Sequence, residues 1–243
     1  MTYCVGLRLN RGLVFMSDTR TNAGVDNFST TRKMFTFQVE GERLITVVTA
    51  GNLATTQALI SLLEERSKAT SDRDPTILRV PSMFQVARLI GSTLREIIAE
   101  SSAEGFNSDS GFRATVIVGG QIKGGPPRLF LIYPEGNFIE ATDDTPFFQI
   151  GETKYGKPIL VRRYDPEMSF SEAVKLLLVS FDSTVKANLS VGLPFDLQTY
   201  ETDTFQVHKQ IRIEQDDPMY QSISTGWGDA LRAAFDLLPS YDL

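Results

Sequence analysis

The chain has 243 residues, ordinary hydrophobic and charged fractions (42% and 22%) and a net charge of −6. That length suits one large domain or two small ones, and the acidic balance leaves no basic surface for nucleic acid or an anionic membrane. No apolar run nears the roughly 20 residues of a membrane span. The N-terminus lacks the basic-then-apolar pattern of a signal peptide. A single cysteine, Cys4, excludes an internal disulfide and fits a reducing, cytoplasmic setting. One histidine, His208, leaves no His/Cys-rich zinc site and no supply of imidazole bases. His208 falls on the polar side of an alternating run, so a hydrolytic base in this chain is expected to be some other group.

The elements read in chain order. Tyr3-Cys4-Val5-Gly6-Leu7-Arg8-Leu9 alternates like a strand, and Asn10-Arg11-Gly12 supplies a turn. Residues 13–17 form a second strand ending at Asp18, and the polar residues 19–32 read as a loop. Strands follow over 34–39 and 44–50, the second closed by Gly51. Helices are predicted over 53–66 and 82–100, the latter with Phe84, Ala87, Ile90, Leu94 and Ile98 on one face. The period then returns to two. Strands are expected over 114–118, 128–133 and 137–141, with Pro134-Glu135-Gly136 as a hairpin turn, and over 147–150 up to Gly151. Ser169 and Glu172 make an S-x-x-E capping box opening a helix that runs to about Asn188. Strands at 195–200 and 205–213 precede a last helix over 227–238.

Runs of strands alternating with helix pairs predict an α+β architecture. Two facing sheets with helices outside satisfy every apolar face. The chain reads as one such domain with a helical extension from about residue 214 to 243. That tail, with Trp227 and Phe235, suits either a neighbouring subunit or its own domain.

Four positions suggest chemistry. Thr2 follows Met1 directly. Removal of Met1 would leave a threonine whose own α-amine, with a pKa of about 8 in model peptides, can serve as its base. Alternatively, Thr2 is a small residue that permits methionine removal. The turn near Arg11 brings Asp18 back beside Thr2, where it can hold a cation, or simply pair with Arg20 at a strand end. Lys33 precedes the third strand; it can tune the hydroxyl and amine of Thr2, or be a solvated lysine that protects a strand edge. Gly51 can aim an amide at an oxyanion, or only permit a sharp turn.

Taken together, Thr2, Ser17-Asp18-Thr19-Arg20, Lys33-Met34-Phe35 and Ala50-Gly51 resemble the proteasome β-type peptidases, which are N-terminal nucleophile hydrolases. Ile150-Gly151-Glu152-Thr153-Lys154-Tyr155-Gly156-Lys157-Pro158 and Asn188-Leu189-Ser190-Val191-Gly192-Leu193-Pro194-Phe195-Asp196-Leu197 resemble the bacterial proteasome-like Anbu group. The resemblance spans residues 2 to 213. It implies a four-layer αββα sandwich and a threonine peptidase or amide hydrolase with Thr2 as nucleophile. Asp18 and Lys33 would support Thr2, and the Gly51 amide would hold the oxyanion. Residues flanking the site, namely Arg20, Thr21, Asn22, Arg32 and Thr49, would line the substrate pocket, with Arg32 favouring acidic side chains. No metal or organic cofactor is implied, and maturation needs only loss of Met1. The implied partners are peptide substrates, further copies of the chain in a ring or spiral, and a separate ATP-dependent unfoldase, since no G-x-x-x-x-G-K-[ST] loop occurs.

The chain departs from the family in two places. Glu152-Thr153 stands where a Ser-Gly pair is usual, and Asn188-Leu189-Ser190-Val191-Gly192 replaces Asp-x-x-Ser-Gly. Glu152, Asn188 and Ser190 are therefore the supporting positions to inspect. A non-catalytic assembly subunit and a small-molecule amidase of the same superfamily stand as alternatives.

Overall fold

The computed structural model describes residues 2–22, 28–68, 75–103 and 111–242, with the side chains of Asn22, Phe28, Ser102 and Ala103 outside the description. One sheet has the order β10-β1-β2-β11-β12, formed by Phe147–Gly151, Tyr3–Leu9, Gly12–Asp18, Phe195–Glu201 and Val207–Ile213. The other has the order β5-β6-β7-β8-β9, formed by Met34–Val39, Arg43–Gly51, Ala114–Ile122, Arg128–Ile132 and Phe138–Glu140. All these pairings are antiparallel.

Three apolar layers hold the sandwich together. Helices α1 (Leu53–Lys68) and α2 (Met83–Ala103) cover the second sheet, with Leu59, Leu63, Val86, Ile90 and Leu94 meeting Ile45, Val47, Val116 and Val118. Helices α3 (Lys157–Arg163) and α4 (Phe170–Ala187) cover the first sheet, with Leu160, Leu177 and Phe181 against Tyr3, Val5, Leu7 and Leu197. Between the sheets lie Cys4, Phe15, Leu44, Val48, Ile117 and Leu129. The pleat explains the division. Odd residues of β1 face the helices, while Cys4 faces the other sheet. The strand is thus buried on both sides, as a central strand of a four-layer structure must be.

The four-layer α+β architecture is as the sequence implies, and the structure corrects several elements. The segment read as a loop over 19–32 contains a short ribbon, β3 (Arg20–Asn22) paired with β4 (Phe28–Thr30). Its polar residues hide it from a hydrophobicity pattern. Strand β7 runs on through Gly119 and Gly120 to Ile122, four residues past the Val118 end that the sequence pattern predicts. Helix α3 has no sequence signal beyond Pro158 in its first turn. Phe84 is half exposed at the edge of α2, with its ring against Phe138. The Ser169–Glu172 capping box forms as expected: the Glu172 amide donates to Ser169 Oγ (3.2 Å) and the Ser169 amide donates to Glu172 Oε2 (2.9 Å).

The last helix, α5, starts at Pro218 rather than near Trp227, because Asp217 caps it by accepting from the Tyr220 amide at 2.8 Å. Its first turn docks on its own domain through buried Tyr220, whose ring meets Phe195 edge-on. Its far end leaves Phe235, Leu237, Leu238 and Tyr241 exposed. No helix among the described residues is long and apolar enough to cross a membrane.

Phe15 is fully buried between the sheets. Phe15→Ala is expected to destabilise the fold by about 3–5 kcal/mol, since both sheets are too rigid to collapse on the void. A urea unfolding midpoint close to that of the parent would contradict this.

Candidate active site

The β1–β2 hairpin turns tightly at Asn10-Arg11, with Leu9 paired to Gly12 and Cys4 to Ser17. This register sets Asp18 opposite Tyr3, and the Tyr3 amide donates to Asp18 Oδ1 at 3.0 Å. Asp18 is fully buried. Lys33, also buried, donates from Nζ to the same Oδ1 at 2.7 Å and to the Arg20 carbonyl at 2.7 Å. The Gly192 amide approaches Oδ2 at 3.4 Å. Burial pushes the Asp18 carboxyl above the usual carboxylate range, against the opposite pull of Lys33 and of the Tyr3 and Gly192 amides. The backbone of Lys33 is fixed as well, because its carbonyl accepts from the Thr49 amide at 2.9 Å.

Thr2 is held from the other side. Its carbonyl accepts from the Glu152 amide at 2.6 Å, just beyond the Tyr3–Gly151 pair of the β1–β10 ladder. Gly151 has φ +83, and a Cβ there would lie 1.9 Å from the Thr2 carbonyl oxygen. Only glycine lets β10 pass this close to Thr2. Gly51, at φ +117, is similarly obligate, since a Cβ would lie 2.4 Å from the Arg113 carbonyl oxygen.

Thr2, Lys33 and Gly51 line one cleft of about 400 Å³, whose wall also includes Thr21, Arg32, Thr49 and Gly151. Three of the five residues expected to contact substrate therefore face the cleft. Arg20 does not: its guanidinium crosses Gly192 and donates to the Leu189 carbonyl at 3.0 Å, so its link to the site is the backbone carbonyl that receives Lys33. The Asn22 side chain lies outside the described residues. The remaining wall, Phe35, Ala50, Asn52, Leu53, Thr56 and Gln57, was not anticipated. Four of these sit at the start of α1, where Asn52 Oδ1 accepts from the Thr55 amide at 3.0 Å. An asparagine cap directly after a buried strand was the signal available for them.

The departing positions form their own cluster beside Thr2. Glu152 is buried, and its Oε2 accepts from Asn188 Nδ2 at 2.9 Å while its Oε1 accepts from the Lys154 amide at 3.2 Å. Asn188 Oδ1 in turn accepts from the Ser190 amide at 2.9 Å, so Ser190 takes part through its backbone. His208 is exposed near Glu201 and Phe170, on the outer strand β12.

Two sheets face to face between helical layers, with the first strand starting in a cleft beside a buried lysine, define a proteasome-type subunit of the N-terminal nucleophile hydrolase class. The proteasome subunit family model matches residues 2–195. The chain belongs to that family and, within it, to the Anbu group, as its likeness to solved structures shows. It is 48% identical to Anbu (ancestral beta-subunit) from Yersinia bercovieri, covering 99% of this chain and 100% of that one, with a TM-score of 0.92. Anbu from Hyphomicrobium sp. strain MC1 is 51% identical over 99% and 100%, with a TM-score of 0.90. A helical assembly of the Anbu complex from Pseudomonas aeruginosa provides a chain 46% identical over 99% and 98%, with a TM-score of 0.92. No curated protein matches the chain.

The Glu152–Asn188 contact yields a pH test. Asn188→Asp would set a second carboxyl within hydrogen-bond reach of Glu152. The pair would then share a proton in the folded state, with one folded pKa raised above its unfolded value. The folded variant binds more protons, so its stability is retained at acid pH and lost as pH rises through that raised pKa. The variant should match the parent near pH 4 and fall behind by about 1–3 kcal/mol at neutral pH. Parallel stability–pH curves for the two proteins would refute the contact.

Proposed function

We propose that this chain is a threonine peptidase or amide hydrolase that uses Thr2 after loss of Met1 and works within a homo-oligomer. The observation that carries the reading is the buried Lys33–Asp18 pair at the cleft that Thr2 lines. A lysine ammonium has three donors. Two are taken by Asp18 and the Arg20 carbonyl. The third is available to the Thr2 hydroxyl oxygen.

In this mechanism the Thr2 hydroxyl attacks a peptide carbonyl, and the freed α-amine of Thr2 takes the proton directly or through a water. Lys33 stabilises the alkoxide as it develops, and Asp18 keeps Lys33 in place by a charge-assisted bond. The Gly51 amide stabilises the oxyanion of the tetrahedral intermediate. Proton return from the amine to the leaving nitrogen gives the acyl ester, and water then releases it. Residues Thr21, Arg32 and Thr49 contact the substrate. The helical assembly formed by the Pseudomonas aeruginosa relative supports self-association here. A folded substrate would require a separate unfoldase.

A second reading is favoured by one observation. Glu152 and Asn188 bind each other where the family places groups that manage the threonine's proton. If they cannot serve the amine, the chain is an assembly subunit with little or no turnover.

Intact mass of the protein from its own host is expected to be one methionine short, and a peptide β-lactone should add covalently to Thr2. Lys33→Met keeps the stem and removes the charge, and should slow acylation by about 10²-fold or more. Retained Met1, or labelling as fast in Lys33→Met as in the parent, would end the hydrolase reading and favour the assembly subunit.

A further inference from the structure

We propose that the cleft selects a carboxylate, with Arg32 recognising an acidic side chain of the substrate beside the carbonyl under attack. This rests on the hydrolase reading above. Among the described residues that line the cleft, Arg32 and Lys33 are the only charged ones, and none is acidic. Their positions differ electrically. Lys33 is neutralised by Asp18 at 2.7 Å and is buried. Arg32 is exposed and makes no ion pair or hydrogen bond with a described residue. Among the described side chains of the cleft, Arg32 is therefore the one uncompensated positive charge, beside the α-amine that Thr2 would gain on loss of Met1, and its planar fork matches a carboxylate at two points.

The rest of the wall suits the same ligand. Thr21, Thr49, Asn52, Thr56 and Gln57 offer neutral hydrogen-bonding groups, while Phe35 and Leu53 supply limited apolar area. A volume of about 400 Å³ accepts a short peptide segment, at the small end of ligand pockets. A basic substrate side chain would meet Arg32 with like charge. An apolar one would desolvate the guanidinium without a partner, which is unfavourable. The net charge of −6 does not cancel the preference. Screening over about 8 Å at physiological salt mutes distant carboxylates, whereas a carboxylate in contact with Arg32 is far less affected.

The experiment compares binding of two fluorescent peptides, identical except for Asp or Asn at the recognised position, to the intact protein by polarisation. The Asp peptide should bind roughly tenfold more tightly, the difference of about 1.4 kcal/mol expected of one well-placed ion pair. Added salt should shrink the difference, Arg32→Gln should erase it, and Arg32→Lys should retain part of it. Equal affinities, no binding of the Asp peptide, or a preference that survives Arg32→Gln would overturn the proposal. Neither peptide needs to be cleaved, so β-lactone labelling of Thr2 is a separate readout. Labelling with equal affinities keeps the hydrolase and removes the acid preference. An Asp preference without labelling keeps the recognition and removes the hydrolase.

Discussion

The structure around the cleft depends on one buried ion pair. Taking a lysine and an aspartate out of water costs several kcal/mol each, and their mutual attraction offsets that only when the remaining hydrogen-bonding capacity is satisfied. Here Asp18 also receives the Tyr3 amide at 3.0 Å and Lys33 also reaches the Arg20 carbonyl at 2.7 Å. Those bonds tie together the start of β1, the end of β2, the ribbon strand β3 and the approach to β5. Four chain segments are thereby fixed within a few ångströms of Thr2. Replacing both partners by apolar residues of similar volume is often neutral for stability, whereas removing one alone strands a buried charge.

The sheets make that pair possible. Strand β1 is covered on one side by α4 and on the other by the second sheet. Asp18 closes the strand next to β1, where no water can compete for its oxygens. The same layering holds Thr2 at the rim, since β1 begins where the two-sided burial ends. Half-burial of Thr2 and full burial of Asp18, its neighbour across the hairpin, arise from one residue of register.

Much of this was legible in the sequence. The tight turn at Asn10-Arg11 was enough to bring Asp18 back to Thr2, and helix periodicity with a capping box placed the outer layers. What escaped had physical reasons. The β3–β4 ribbon is polar and too short for a period-two signal. Helix α3 has seven residues and only one buried side chain, Leu160, so it has no amphipathic pattern to detect. Trp227 drew attention to the middle of α5, while its start is set by Asp217 and Pro218, a cap signal that hydrophobicity does not contain. Arg20 resembled a pocket residue by proximity in sequence, yet β3 turns its side chain away to Gly192. The alliance of Glu152 with Asn188 joins residues 36 apart, and only the fold reveals it.

The way Thr2 is anchored has a consequence for the order of events in the cell. Both backbone bonds that set its position lie downstream of its α-carbon: its own carbonyl meets the Glu152 amide, and the next amide meets Asp18. Neither uses the group that Met1 would free. Loss of Met1 would leave both of these bonds intact, so the fold at this end does not depend on it. Folding of this end and loss of Met1 would then be separable events, free to occur in either order.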